Sequence, residues 1–108
     1  MTVQRLTKTP WYHYFLWHLG RDEWSFVLDG LELRIVNQWI GFTRLLLGNQ
    51  VLAQTKGLFE ISGTRPILQA KVRTSGTTER SVAIYVKAIT RVNIRVEVDG
   101  KQISNGFV

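Results

Sequence analysis

VNIRVEVDGKQIS, residues 92–104, is the stretch that decides the fold. Val92, Ile94, Val96 and Val98 alternate with Asn93, Arg95 and Glu97. A period of two puts the apolar side chains on one face and the polar ones on the other, as a half-buried strand requires. Asp99-Gly100 ends the run, and both residue types tolerate the positive φ of a two-residue hairpin turn. Gln102–Ser104 then returns as the partner strand.

The same pattern runs outward through most of the chain. Asp29-Gly30 joins Trp24–Leu28 to a run in which Leu31, Leu33 and Ile35 alternate with Glu32 and Arg34. Trp39–Leu47 is rich in β-formers, and Gly48-Asn49 turns it into Val51–Thr55. Leu58–Ile61 is a further short run between Gly57 and Gly63. After Pro66, Leu68, Ala70 and Val72 oppose Gln69, Lys71 and Arg73, and Ser81–Ala88 alternates likewise. No helical period interrupts these runs and no linker divides them. The expectation is an all-β domain over residues 24–108: a single antiparallel β-sandwich, or partly open barrel, of about eight strands. A faint repeat lays residues 46–51 over 98–103, at an offset of 52.

The stretch LDGLELRIVNQWIGFTRLLLGNQVLAQTKGLF, together with VEVDGKQIS, resembles the C-terminal half of the Fas apoptotic inhibitory molecule family. That family repeats a V-x-V-(D/N)-G-K-x-(I/L) hairpin. The resemblance runs from about Leu28 to Ser104. It implies an antiparallel β-sandwich and a non-catalytic protein acting through protein contacts. The family carries tandem β domains where this chain has one, and it transfers no functional residue here.

Residues 1–23 form a segment of a different kind. PWYHYFLWHLG, residues 10–20, holds Trp11, Tyr12, Tyr14, Phe15 and Trp17 with His13 and His18 among them. Thr9 as N-cap, Pro10 at the first helical position and Gly20 past the last turn predict a short helix. So many rings do not sit in water, where large apolar patches mark contact sites. Trp11, Tyr14, Phe15 and Trp17 are therefore expected to bury against another protein, a homodimer first of all. A core plug and a membrane-surface anchor flanked by Arg5, Lys8 and Arg21 are the competing uses of the segment.

Charge divides the chain. Residues 1–60 carry six basic and five acidic side chains, whereas residues 61–108 carry eight and three. A basic half attracts polyanions. Lys71 and Arg73 share a strand face, and Arg91 and Arg95 fall on the polar side around Asn93, so these four are the candidate nucleic-acid patch, held by backbone contacts.

Enzyme chemistry finds little to stand on. Cysteine is absent, which excludes disulfides and thiolate chemistry. His13 and His18 do not share a helical face, so no metal pair forms there. Asp22-Glu23 reads as solvated charge before Trp24, and Asp29 and Asp99 are accounted for by their turns. No phosphate loop occurs among the single, turn-bound glycines. The chain is expected to be non-enzymatic, without metal or cofactor. MTVQRLTKTP contains no apolar run, no secretory leader is expected, and the expected location is the cytoplasm.

Overall fold

A computed structural model describes residues 3–6, 21–38, 42–56, 64–88, 92–103 and 106–108. The described residues are all-β with no helix and build two antiparallel sheets. The first holds β1 (Gln4–Arg5), β2 (Arg21–Leu28), β3 (Leu31–Gln38), β4 (Phe42–Leu47) and β5 (Gln50–Lys56). The second holds β6 (Leu68–Arg73), β7 (Glu79–Ala88), β8 (Val92–Val98) and β9 (Lys101–Gln102). Strand order follows sequence order in both, so each sheet is a meander. The helix expected at 10–20, and the strand pieces expected at 39–41 and 58–61, lie outside the described residues.

Alternation decides what is buried. In β2, Trp24, Phe26 and Leu28 turn inward, while Glu23, Ser25 and Val27 turn outward. In β8 all four apolar residues are buried and the three polar ones are not. Leu33, Ile35 and Leu45 from the first sheet meet Val72, Val82, Ile84, Val86 and the β8 valines in one core cluster. Each fully buried aliphatic side chain contributes about 1.5–3 kcal/mol by area removed from water. Asn37 and Thr43 are buried in the same inward rows, and the Asn37 amide donates to Thr43 Oγ1 at 2.8 Å. That bond offsets the cost of taking both polar groups out of water.

Phe42 is not part of the core cluster. It pairs with Gln38 on the outward row of β4, half-buried, with the Arg44 guanidinium 3.7 Å above its ring. The 46–51 and 98–103 repeat is also not a structural equivalence. Leu47 pairs with Gln50, so Gly48 is the first residue of its turn; Val98 pairs with Lys101, so Gly100 is the second of its own. The true counterpart of Asp99-Gly100 is Asp29-Gly30. Their φ values are 53° and 82° in one turn and 50° and 84° in the other. Two consecutive positive angles define the type I′ turn that matches the twist of a hairpin.

A Cβ built on Gly30 or Gly100 would meet nothing within 4 Å, so a side chain there costs only backbone strain. Gly30→Ala and Gly100→Ala should each lower stability by about 1 kcal/mol. Gly76→Ala, at a site equally open but without positive φ, should stay within about 0.5 kcal/mol of wild type. Equal denaturation midpoints for all three variants would contradict the turn assignment.

Candidate interaction face and the ties that frame it

The outward face of the second sheet collects the basic half of the chain. From β6 come Gln69, Lys71 and Arg73; from β7 Ser81, Ala83, Tyr85 and Lys87; from β8 Asn93, Arg95 and Glu97. The period of two places all of them there, since their neighbours Leu68, Val72, Val82, Ile84, Val86, Ile94 and Val96 are buried.

Three residues of the expected nucleic-acid patch, Lys71, Arg73 and Arg95, are among the described residues. Lys71 and Arg73 are exposed on the edge strand β6. Lys71 lies opposite Ser81, whereas Arg95 lies opposite Tyr85. Four residues along a strand and two strand spacings separate the two groups, about 13 Å and about 10 Å. Arg91 lies outside the described residues.

Arg95 is also occupied. Its guanidinium stacks on the Tyr85 ring at 4.1 Å and approaches Phe107 at 5.4 Å. Its Nη2 pairs with Glu97 Oε2 at 3.4 Å, and its Nε is buried without a hydrogen bond. Tyr85 donates to the same carboxylate at 3.4 Å, and Lys87 Nζ lies 5.8 Å from the Phe107 centroid. This is a closed cluster of cations, rings and one acid. The expected interaction residues Trp11, Tyr14, Phe15 and Trp17 all lie outside the described residues.

The residues that sequence reasoning missed are two arginines that tie the sheets together. Arg5 sits on the two-residue strand β1, too short to show a period. Its Nη1 donates to Asp22 Oδ1 at 2.6 Å, and its Nη2 donates to the Val92 carbonyl and, at 3.0 Å, to Asn93 Oδ1. The guanidinium also lies 4.9 Å from the Trp24 ring centroid. Asp22 is fully buried rather than solvated, because alternation puts it in the inward row with Trp24. The arginine charge makes that burial tolerable. Nearby, Trp24 Nε1 donates to the Val108 carbonyl at 3.1 Å, and Val108 exchanges two backbone bonds with Ile94.

Arg80 does the same work at the far end of β2. Its Nε donates to Asp29 Oδ2 at 2.9 Å and its Nη1 to Asp99 Oδ2 at 2.8 Å. Each aspartate belongs to a different sheet's type I′ turn. Thr74 also donates to Asp29, and the Ser81 N–H donates to Asp99 Oδ1. The Arg80 bond, then the Thr74 bond, hold the Asp29 carboxyl below its ordinary range. The Ser81 N–H, then Arg80, do so for Asp99. The two carboxylates in turn push the Arg80 guanidinium up. Leu28, Val98, Lys101 and Ile103 join these three residues around an open pocket of about 310 Å³.

No helix among the described residues is long and apolar enough to cross a membrane, and no group of three or more acid or histidine side chains among them could hold a metal ion. Comparison with family profiles, with curated proteins and with solved structures returns no match.

Two outcomes test the ties. Arg5→Ala leaves Asp22 buried without its cation and should cost about 3–5 kcal/mol, read as a shift in the denaturant midpoint; a loss below about 1 kcal/mol would show that the pair is solvated. Asp29 and Asp99 titrate lower in the folded chain than in the unfolded one, where aspartate sits near ~3.9. Their contribution is therefore complete above about pH 5 and is lost as pH falls through the folded values. The double variant Asp29→Asn, Asp99→Asn keeps residues that accept positive φ. Its Tm should fall less steeply than that of wild type from about pH 5 to about pH 2.5, and parallel curves would contradict the assignment.

Proposed function

We propose that the two sheets form a β-sandwich, preceded by a short aromatic helix at 10–20, and that the protein is a non-catalytic interaction module. In this reading it self-associates as a homodimer through Trp11, Tyr14, Phe15 and Trp17 and works in the cytoplasm. The carrying observation is how the core is filled. Among the described residues, Trp24 and Phe26 are the rings of the core cluster, aliphatic rows from both sheets supply the rest, and Phe42 is turned outward. Five further rings lie between residues 10 and 20. Rings in excess of a filled core are what a subunit interface uses, and each removes on the order of 150–250 Å² from water. The sandwich reading is also what the resemblance to the Fas apoptotic inhibitory molecule family implies.

The polar groups support the same reading. Asp22, Asp29, Asp99 and Glu97 each pair with an arginine that fixes the fold. Such pairing leaves them in structural rather than catalytic roles. The alternative of membrane-surface attachment loses one flanking cation, because Arg5 is bound to Asp22 and Val92. Nucleic-acid binding keeps Lys71 and Arg73 as exposed cations but loses Arg95 to its own cluster.

Sedimentation decides the matter. Wild type should run as a dimer or larger, and Trp11→Ser with Phe15→Ser should run as a monomer whose strand signal in circular dichroism is unchanged. A wild-type monomer at high concentration would overturn the reading. Oligonucleotide binding at low salt that weakens steeply with added salt would favour the nucleic-acid alternative.

A further inference from the structure

Asp29 and Asp99 are two of the chain's three aspartates, and each is followed by glycine. That dipeptide has a chemistry of its own. The glycine amide nitrogen can attack the aspartate Cγ, because glycine has no side chain to shield it. The carboxyl OH leaves with the N–H proton as water, and a five-membered succinimide closes. Water then reopens the ring at either carbonyl. Addition at Cγ restores aspartate, whereas addition at the main-chain carbonyl leaves isoaspartate, whose backbone runs through Cγ. The sum is an isomerisation that needs only water.

Both turns are open to this reaction. Asp29, Gly30, Asp99 and Gly100 are exposed, and no side chain crowds either glycine. The restraint lies on the carboxylates. Asp29 Oδ2 accepts from Arg80 Nε at 2.9 Å and from Thr74 Oγ1 at 2.7 Å, and its Oδ1 lies 3.4 Å from Arg80 Nη2. Asp99 Oδ2 accepts from Arg80 Nη1 at 2.8 Å and its Oδ1 from the Ser81 N–H at 2.9 Å. These bonds act twice. They hold the carboxyl, which must turn onto the next nitrogen to react. They also favour the ionised form, whereas ring closure needs the neutral acid, whose OH can leave. Both carboxyls accordingly stay below their ordinary range.

We propose that Asp29-Gly30 and Asp99-Gly100 are latent isoaspartate sites, one in each sheet, and that Arg80 restrains both. The two depend on it unequally. Without Arg80, Asp29 keeps only the rotatable Thr74 hydroxyl, while Asp99 keeps the Ser81 N–H, a donor fixed in the main chain. Conversion at Asp29 draws its carboxyl carbon into the main chain. Arg80 then loses its ligand from the first sheet, and the tie between the two turns is cut. Age at this position therefore unfastens one end of the two sheets. Every group involved is among the described residues, and none belongs to the aromatic segment, so the proposal stands apart from the homodimer.

The test is to age the full chain at neutral pH, folded and in denaturant. Isoaspartate is located by electron-transfer fragmentation of its peptides, which distinguishes the two linkages. Folded wild type should convert at both sites more slowly than the unfolded chain. Arg80→Ala should raise the folded rate at Asp29 by about threefold or more, the worth of an exposed charge pair, and by less at Asp99. Arg80→Lys offers one nitrogen where two carboxylates need two; it should give a smaller rise, and it decides the matter if the alanine variant does not fold. Thr74→Val should raise the rate at Asp29 alone. Ile84→Val weakens the buried core away from both turns and should leave both rates near wild type. Three results would overturn the proposal. They are equal rates in folded and unfolded wild type, Arg80 variants no faster than wild type, and a rise in Ile84→Val as large as in the Arg80 variants, which would place the restraint in the fold as a whole.

Discussion

Arg80 holds one carboxylate from each sheet and ties their two turns together beside the apolar core that both sheets share. Among the described residues every strand pairing stays within its own meander. What joins the meanders is the apolar core and the ionic ties at its two ends. At one end Arg80 bridges the turn aspartates Asp29 and Asp99. At the other, Arg5 links Asp22 of the first sheet to Val92 and Asn93 of the second. Hydrophobic burial is non-directional and would allow the sheets to slide. Directional, charge-assisted bonds at both ends of β2 fix their alignment.

The ties also shape the surface. Asp22, Asp29, Glu97 and Asp99 are bound to arginines within the fold. The chain is basic to begin with, and this leaves Lys71 and Arg73 exposed on β6, with a 3.9 Å contact between Lys71 and Glu79.

Much of the candidate face was legible in the linear pattern. Lys71 and Arg73 are two residues apart, and a period of two puts them on one face whatever the sheet around them. Arg95 was legible in the same way, as a residue opposite in phase to Ile94 and Val96. Its engagement was not. Stacking on Tyr85 follows from the β7–β8 register, and Phe107 arrives from the C-terminal stretch. Local spacing carries no record of which strands become neighbours.

By itself the sequence determined the strands and turns, because alternation and Asp-Gly chemistry act over two to four residues. Asp29 and Asp99 are visible as turn residues for that reason. Their second role as ligands of Arg80 required residues 29, 80 and 99 to converge, which only the packing of one sheet on the other brings about. Asp22 makes the same point in reverse. An acidic pair before Trp24 reads as solvated, yet alternation carries Asp22 inward and β1 delivers Arg5 to meet it. A buried charge is tolerated only beside its counter-charge, and that partner lies 17 residues away, on a strand too short to show a period.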